Sequence, residues 1–295
     1  MLLAVDYSSL LYRAFHSLPE HVAMRGVLGF LNMLARLIAD RRPARLAIAV
    51  DEDWRPEFRV AALPTYKAHR VAEDGEEDPV TPQEAVGREV LAAMGIAVLG
   101  ADGFEAEDVI ATLVARTKEP VEIVSGDRDL FALVRDPDVR VLYPVIGVSQ
   151  MVVVDEAEVT RRYDIPGRAY LDFAILRGDP SDGLPGVPGI GAKTAARLVG
   201  EYGSLDALLA SPAVPLAIRR RLDAAREYLD AARRVVPPAS DVPLPRHTCA
   251  LPTAPAHPRT LARLGKAHGL TNAIGRVTAA IAAVRPEKAP AGRRT

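Results

Sequence analysis

The chain of 295 residues has a single cysteine, Cys249, so it cannot close an internal disulfide. One thiol also excludes a zinc site built on cysteines and suits a reducing compartment. No apolar run is long enough to cross a bilayer. The first residues run straight into Leu2-Leu-Ala-Val-Asp6 without a basic leader or a cleavage site, so a cytoplasmic protein is expected. Net charge is scarce as well, at −1. Its distribution is uneven: residues 1–184 carry 20 Lys/Arg against 31 Asp/Glu, and residues 185–295 carry 17 against 7. An acidic first part suits hard divalent cations, and a basic second part suits phosphates.

The most informative stretch runs from residue 176 to 199. Asp179 and Asp182 are three apart, which on a helical turn points them the same way. Two such carboxylates repel unless a cation sits between them. Gly183, Gly186, Gly189 and Gly191 follow, interrupted by Pro185 and Pro188, giving turns with a bare backbone. Residues 192–199 then read as a helix with Lys193 and Thr194 in its first turn. Free N–H groups, the positive helix end and a lysine make an anion site. A nucleotide-binding P-loop does not fit, because Ala192 separates Gly191 from Lys193. A plain Gly/Pro loop before a helix is the bland alternative. The form Leu-Pro-Gly-Val-Pro-Gly-Ile-Gly-x-Lys-Thr-Ala is instead that of a helix-hairpin-helix, which holds a duplex backbone without reading bases.

Elsewhere, strands alternate with helices. Apolar strands end in Asp6, Asp51 and Asp127; further strands are expected at 95–99, 139–143 and 150–154, the last two paired near a sheet edge. Helices are expected over 9–18, capped by Ser8, and over 26–38 and 106–115. The pattern predicts an α/β fold with a mainly parallel central sheet flanked by helices. In such sheets ligands bind beyond the carboxyl ends of the strands. From residue 156 the chain reads as helical, with an extended Pro-rich wrap at 237–258, a helical pair at 259–284 and a basic, disordered tail at 285–295. The expected division is a catalytic core at 1–165 and a helical part at 166–284.

Nine acids stand out: Asp6, Asp51, Glu105, Glu107, Asp108, Asp127, Asp129, Asp179 and Asp182. Glu105, Glu107 and Asp108 could instead complement a helix dipole, and Asp127 and Asp129 could belong to a turn. No histidine or cysteine joins them, and an all-oxygen site selects Mg²⁺ or Mn²⁺ over zinc. Two such ions, roughly 3.5–4 Å apart, can activate a water and stabilise the leaving oxygen in phosphodiester hydrolysis.

With Tyr12-Arg-Ala-Phe-His16, Phe58-Arg59, Tyr66-Lys-Ala-His-Arg70, Gly103-Phe-Glu-Ala-Glu-Asp108, Ser125-Gly-Asp-Arg-Asp129 and the 176–199 stretch, the chain resembles the bacterial 5′-to-3′ exonucleases and flap endonucleases. These occur free-standing or as the N-terminal domain of DNA polymerase I; the free-standing form is expected here. The resemblance implies a PIN-like nuclease core with an arch near 67–94, and a helix-hairpin-helix of the helix–three-turn–helix kind. It implies metals held by the nine acids, and Lys67 and Arg70 at the scissile phosphate. It implies DNA contacts from Arg13, Arg59, Gly186, Gly189, Gly191, Lys193 and Thr194, and a base stacked on Tyr66. K⁺ would bridge the carbonyls of Val187 and Ile190 to a phosphate. The implied activity is structure-selective, metal-dependent cleavage of DNA near 5′ ends, flaps, nicks and gaps, with RNA–DNA hybrids a further substrate, in primer processing and repair, by a monomer with no membrane partner.

The sequence departs from the family's pattern in three places. Glu107 stands where bacterial relatives usually carry Asp, and Gly183 where Asn is usual. Residues 71–79 are acidic, with Gly75 and Pro79, where the arch normally begins with basic and apolar residues. A poor helix is expected there, and mobility without DNA over residues 71–82. Two other functions compete: a DNA-binding protein with a decayed site, and an RNA-cleaving toxin of the related PIN class. The full set of acids opposes the first, and the helix-hairpin-helix opposes the second.

Overall fold

A computed structural model describes residues 1–71 and 78–284. The expectations for residues 72–77 and for the tail therefore lie outside the described residues.

The first strand, β1 (Leu2–Asp6), is buried along its whole length and runs without a break into α1 (Tyr7–Ser17). After α2 (Arg25–Arg41) come β2 (Arg45–Ala49), α3 (Glu57–Ala62), α4 (Thr81–Met94), β3 (Ala97–Leu99), α5 (Ala106–Arg116) and β4 (Val121–Val124). β5 (Val139–Ile146) and β6 (Gln150–Val154) close the sheet. Its strand order is β3-β2-β1-β4-β5-β6, parallel except for antiparallel β6. β1 lies between β2 and β4, so the crossovers diverge at its carboxyl end, where such sheets open a crevice.

The helical remainder comprises α6 (Glu156–Tyr163), α7 (Tyr170–Arg177), α8 (Ala192–Tyr202), α9 (Leu205–Ala210), α10 (Leu216–Ala224), α11 (Arg226–Val235), α12 (Pro258–Ala267) and α13 (Thr271–Val284). Side chains alternate across a strand, and the core divides accordingly. Leu2 and Ala4 of β1 join one apolar cluster with α5, α7, α8 and α11, while Leu3 and Val5 join another with α1, α2, α4, α12 and α13.

This arrangement corrects the expected grouping of 259–284 with the other C-terminal helices. α13 lies along α2, and α12 against α4, on the opposite face from α7–α11. The Pro-rich segment makes the passage. Arg116 of α5 donates to the Val242 carbonyl at 2.6 Å, Leu46 N–H donates to the Cys249 carbonyl at 2.7 Å, and His257 N–H donates to the Ala93 carbonyl at 2.9 Å. Among helix starts, Asp6 rather than Ser8 caps α1, accepting from Ser9 N–H at 3.0 Å. With no residue between strand and helix, the acid ending the strand is itself the cap.

Candidate active site

The carboxyl edge of the sheet gathers the acids. Asp6 ends β1, where it also accepts from the Ser125 hydroxyl at 2.6 Å. Burial, then the nearby Asp51, push its carboxyl up to about 7. Asp51, just past β2, accepts from Ala106 N–H at 2.8 Å and from the Ser8 hydroxyl. Ser8 thus orients Asp51 instead of capping a helix. Glu105 and Asp108 form a reciprocal capping box at the start of α5, which fixes that turn. Asp127 follows β4, and its carboxylate accepts from Asp129 N–H at 2.9 Å. Asp129 is buried and held well above the ordinary carboxylate range by burial, then by Asp127, Asp182 and Asp179. Glu107 is raised likewise by burial and then by Glu105.

The opposite wall comes from the turn after α7. Asp179 caps a single 3-10 turn, Pro180–Asp182, and accepts from Ser181 N–H at 3.0 Å and from Arg177 at 2.9 Å. Asp182 is raised by burial and pairs with Arg70 at 2.9 Å. Lys67 holds the two walls together. Its N–H donates to the Asp182 carbonyl at 3.0 Å, its ammonium pairs with Glu105, and its backbone is left-handed at φ 48°. Burial acts to lower the Lys67 ammonium, but Glu105, Glu107 and Asp182 outweigh it and raise it. Gly183 gains a reason here. It lies at φ 71°, and a Cβ on it would stand 2.0 Å from the Thr65 carbonyl oxygen, so in this chain glycine lets the turn leading to Lys67 approach.

The donor set fits a hard cation. It is all oxygen, crowded with like charge, and protonated more readily than usual. Among the described residues no three of these carboxylates are gathered at ligating distance.

Three assignments change. Asp108 is fully buried, and its oxygens accept from Arg59 at 2.9 and 2.7 Å, Ala239 N–H at 2.7 Å and Glu105 N–H at 3.0 Å. These contacts fill the roughly four lone-pair sites of a carboxylate, leaving none for a metal. Arg59 is 0% exposed beneath the acids and cannot reach a phosphate. Tyr66 is 3% exposed, with its hydroxyl on Glu105 at 2.7 Å, so its ring is no stacking surface. The exposed aromatics are Tyr12, Trp54 and Phe58.

Of the other expected DNA contacts, Arg13 lines an open cleft with Tyr12 and His16, and its Nε has no protein partner. The hairpin before α8 has Gly186 at φ 71° and Gly189 at φ 77°. Val187 and Ile190 turn their side chains into the core, which leaves Gly191 and Lys193 exposed and Thr194 half-buried at the helix start. The Val187 carbonyl already accepts from Ile190 N–H at 2.9 Å, so one lone pair of the expected K⁺ ligand is in use. Sequence reasoning missed Ser8, Ser125 and Arg177 as clamps on the acids. Only their nearness in sequence to Asp6, Asp127 and Asp179 hinted at it.

Comparison with known proteins agrees with this architecture. Residues 1–164 match the family described as 5′-3′ exonuclease, N-terminal resolvase-like domain, and residues 165–259 match 5′-3′ exonuclease, C-terminal SAM fold. A 5′-3′ exonuclease of Streptomyces coelicolor is 46% identical over 95% of this chain and 99% of its own length. One from Mycobacterium tuberculosis is 43% identical over 95% and 97%. DNA polymerase I of Mycobacterium bovis is 45% identical over 70% of this chain but 24% of its own length. Among solved structures, a bacteriophage T5 flap endonuclease with DNA and metal ions superposes with a TM-score of 0.67 at 18% identity, covering 95% and 99% of the two chains. The catalytic core of Rad2 with a DNA substrate gives 0.61 at 15% identity, covering 96% and 92%. No helix among the described residues is long and apolar enough to cross a membrane. Both halves of the chain match in order, and the free-standing relative aligns over nearly its whole length: this chain belongs to the 5′-3′ exonuclease family.

Proposed function

We propose that this chain hydrolyses DNA phosphodiesters near 5′ ends and at single-strand/double-strand junctions, flaps included. The observation that carries the reading is the cleft itself. Carboxylates from the ends of β1, β2 and β4 and the start of α5 face those after α7, with Lys67 and Arg70 between the walls. Divalent cations, two of Mg²⁺ or Mn²⁺, would be held by Asp6, Asp51, Glu105, Glu107, Asp127, Asp129, Asp179 and Asp182, and supply water activation and stabilisation of the leaving oxygen.

The chain's own residues do the rest. Lys67 and Arg70 offset charge that builds on the phosphoryl oxygens. Lys67 pairs with Glu105, one of the acids that would hold a cation, and so stands at the reacting phosphate's side of the cleft. Arg13 meets the backbone beside the cleft. Gly186, Gly189, Gly191, Lys193 and Thr194 grip duplex phosphates away from the reacting bond. K⁺ at the Val187 and Ile190 carbonyls, action on RNA–DNA hybrids, a monomeric state and a cytoplasmic place complete the proposal.

The test is a product map on a 5′-labelled flap with Mg²⁺ and with Mn²⁺, beside nicked, gapped and RNA–DNA substrates. Cleavage at the junction is expected; full cleavage after exhaustive chelation would end the metal reading.

A further inference from the structure

Arg59 makes four hydrogen bonds and one further ion pair, all inside the protein. Nε donates to the Val235 carbonyl at the end of α11, at 3.0 Å. Nη1 donates to Asp108 at 2.9 Å and to Glu105. Nη2 donates to Asp108 at 2.7 Å and lies 3.0 Å from Glu107. A guanidinium has five N–H donors in a fixed fork; four are committed to these hydrogen bonds, and Glu107 is held by charge. Asp108 in turn fixes the main chain of Glu105 and accepts from Ala239 N–H in the wrapping segment. The side chains of Glu105 and Glu107 are thus tied, through one buried cation and Asp108, to residues 235–239 at the end of α11 and the start of the wrapping segment.

We propose that Arg59 is a positioning residue for metal binding. It sets the spacing and direction of Glu105 and Glu107, with Asp108 as its brace, and it contacts no DNA. This rests on the reading of those two acids as metal ligands. One guanidinium and Lys67 face three carboxylates, so the cluster stays short of positive charge and accepts a divalent cation only at the geometry the fork imposes. Lysine would keep the charge and lose the fork.

The experiment compares wild type with Arg59→Lys, Arg59→Gln, Asp108→Asn and the Arg59→Lys/Asp108→Asn double variant. It measures Mn²⁺ affinity of the DNA-free proteins, flap affinity in Ca²⁺ with its salt dependence, single-turnover cleavage and melting temperature. Arg59→Lys should weaken Mn²⁺ binding by about tenfold or more, the scale of lost outer-shell support. Its DNA affinity and salt slope should stay unchanged. Arg59→Gln should be worse, so that lysine restores part of the loss. The double variant should be no worse than its poorer single parent, since both act through one contact. A folded Arg59→Lys with wild-type Mn²⁺ affinity overturns the proposal, as does a salt slope lower by about one, which marks a lost phosphate contact. If neither Arg59 variant folds, Asp108→Asn decides alone: weakened Mn²⁺ binding supports the proposal and unchanged binding overturns it. A wild-type protein that binds no Mn²⁺ overturns the metal site itself.

Discussion

The carboxylate cleft and the glycine hairpin both serve phosphates, by opposite physical means. In the cleft the side chains do everything. Its acids are mostly buried, and several are raised because burial and like charge oppose ionisation. In the hairpin the side chains of Val187 and Ile190 are withdrawn into the core, Gly186 is buried against the Arg177 carbonyl, and Gly189 and Gly191 are exposed. The cleft holds an unfavourable concentration of charge ready for cations. The first turn of α8, just after the hairpin, offers neutral N–H groups that ask for nothing until a phosphate arrives. Chemistry and grip can therefore be damaged separately.

The sharpest test of that separation is Asp127→Asn. It removes a charge that a cation needs and also lessens repulsion toward DNA. Single-turnover cleavage should fall by about 10³-fold, some 4 kcal/mol of barrier, while flap binding in Ca²⁺ persists or tightens. Loss of binding instead would erase the distinction between the two regions.

Two glycines sharpen it further. Gly183→Ala should lower the unfolding free energy by about 2–3 kcal/mol, because its Cβ meets the Thr65 carbonyl at 2.0 Å on a left-handed backbone. Gly191→Ala has open space and φ −87°, so it should stay within about 0.5 kcal/mol of wild type and show its effect only in DNA affinity. Denaturant unfolding of both variants, beside flap binding, checks the pair.

Cations should also change the pH response. The Asp6 carboxyl moves from 3.8 to about 7 on folding, so the cation-free fold binds protons more tightly than the unfolded chain. Its contribution is fullest below about pH 4 and is lost as pH rises through 7. Mg²⁺ should therefore raise the melting temperature by more at pH 8 than at pH 5.5, where protons compete for the same oxygens. Equal increments in calorimetry would separate these acids from the metal.

Lys193→Ala should have the smallest effect. Salt titrations should show the slope of binding reduced by about one, with single-turnover cleavage at saturating enzyme changed by far less than affinity. A large loss of rate with normal binding would move Lys193 from grip to chemistry.

The strand ends were legible because an apolar run closing on an acid is a local pattern, and Asp6, Asp51 and Asp127 fall at the carboxyl edge as the sequence predicts. The hairpin and α8 were legible for the same reason. Arg59 was not. Its partners lie 46, 49 and 176 residues away in the chain, and nothing near Phe58-Arg59 distinguishes a buried fork from a phosphate contact. Tyr66 misled for a related reason: an aromatic beside Lys67 reads as a platform until Glu105 is seen to take its hydroxyl. The placement of α13 was out of reach as well, because an amphipathic helix does not say which face of a sheet it will cover.

That placement has a consequence for how the protein is made. Arg276 of α13 donates to Asn32 of α2 at 2.9 Å, across 244 residues of chain. On the ribosome, the apolar side of α2 emerges early and has no final cover until nearly the whole polypeptide has followed. Closing so long a loop is entropically slow, and an uncovered apolar helix invites aggregation in the interval. The cover that α13 gives to the face begun by α1, α2 and α4 therefore comes from residues far along the chain.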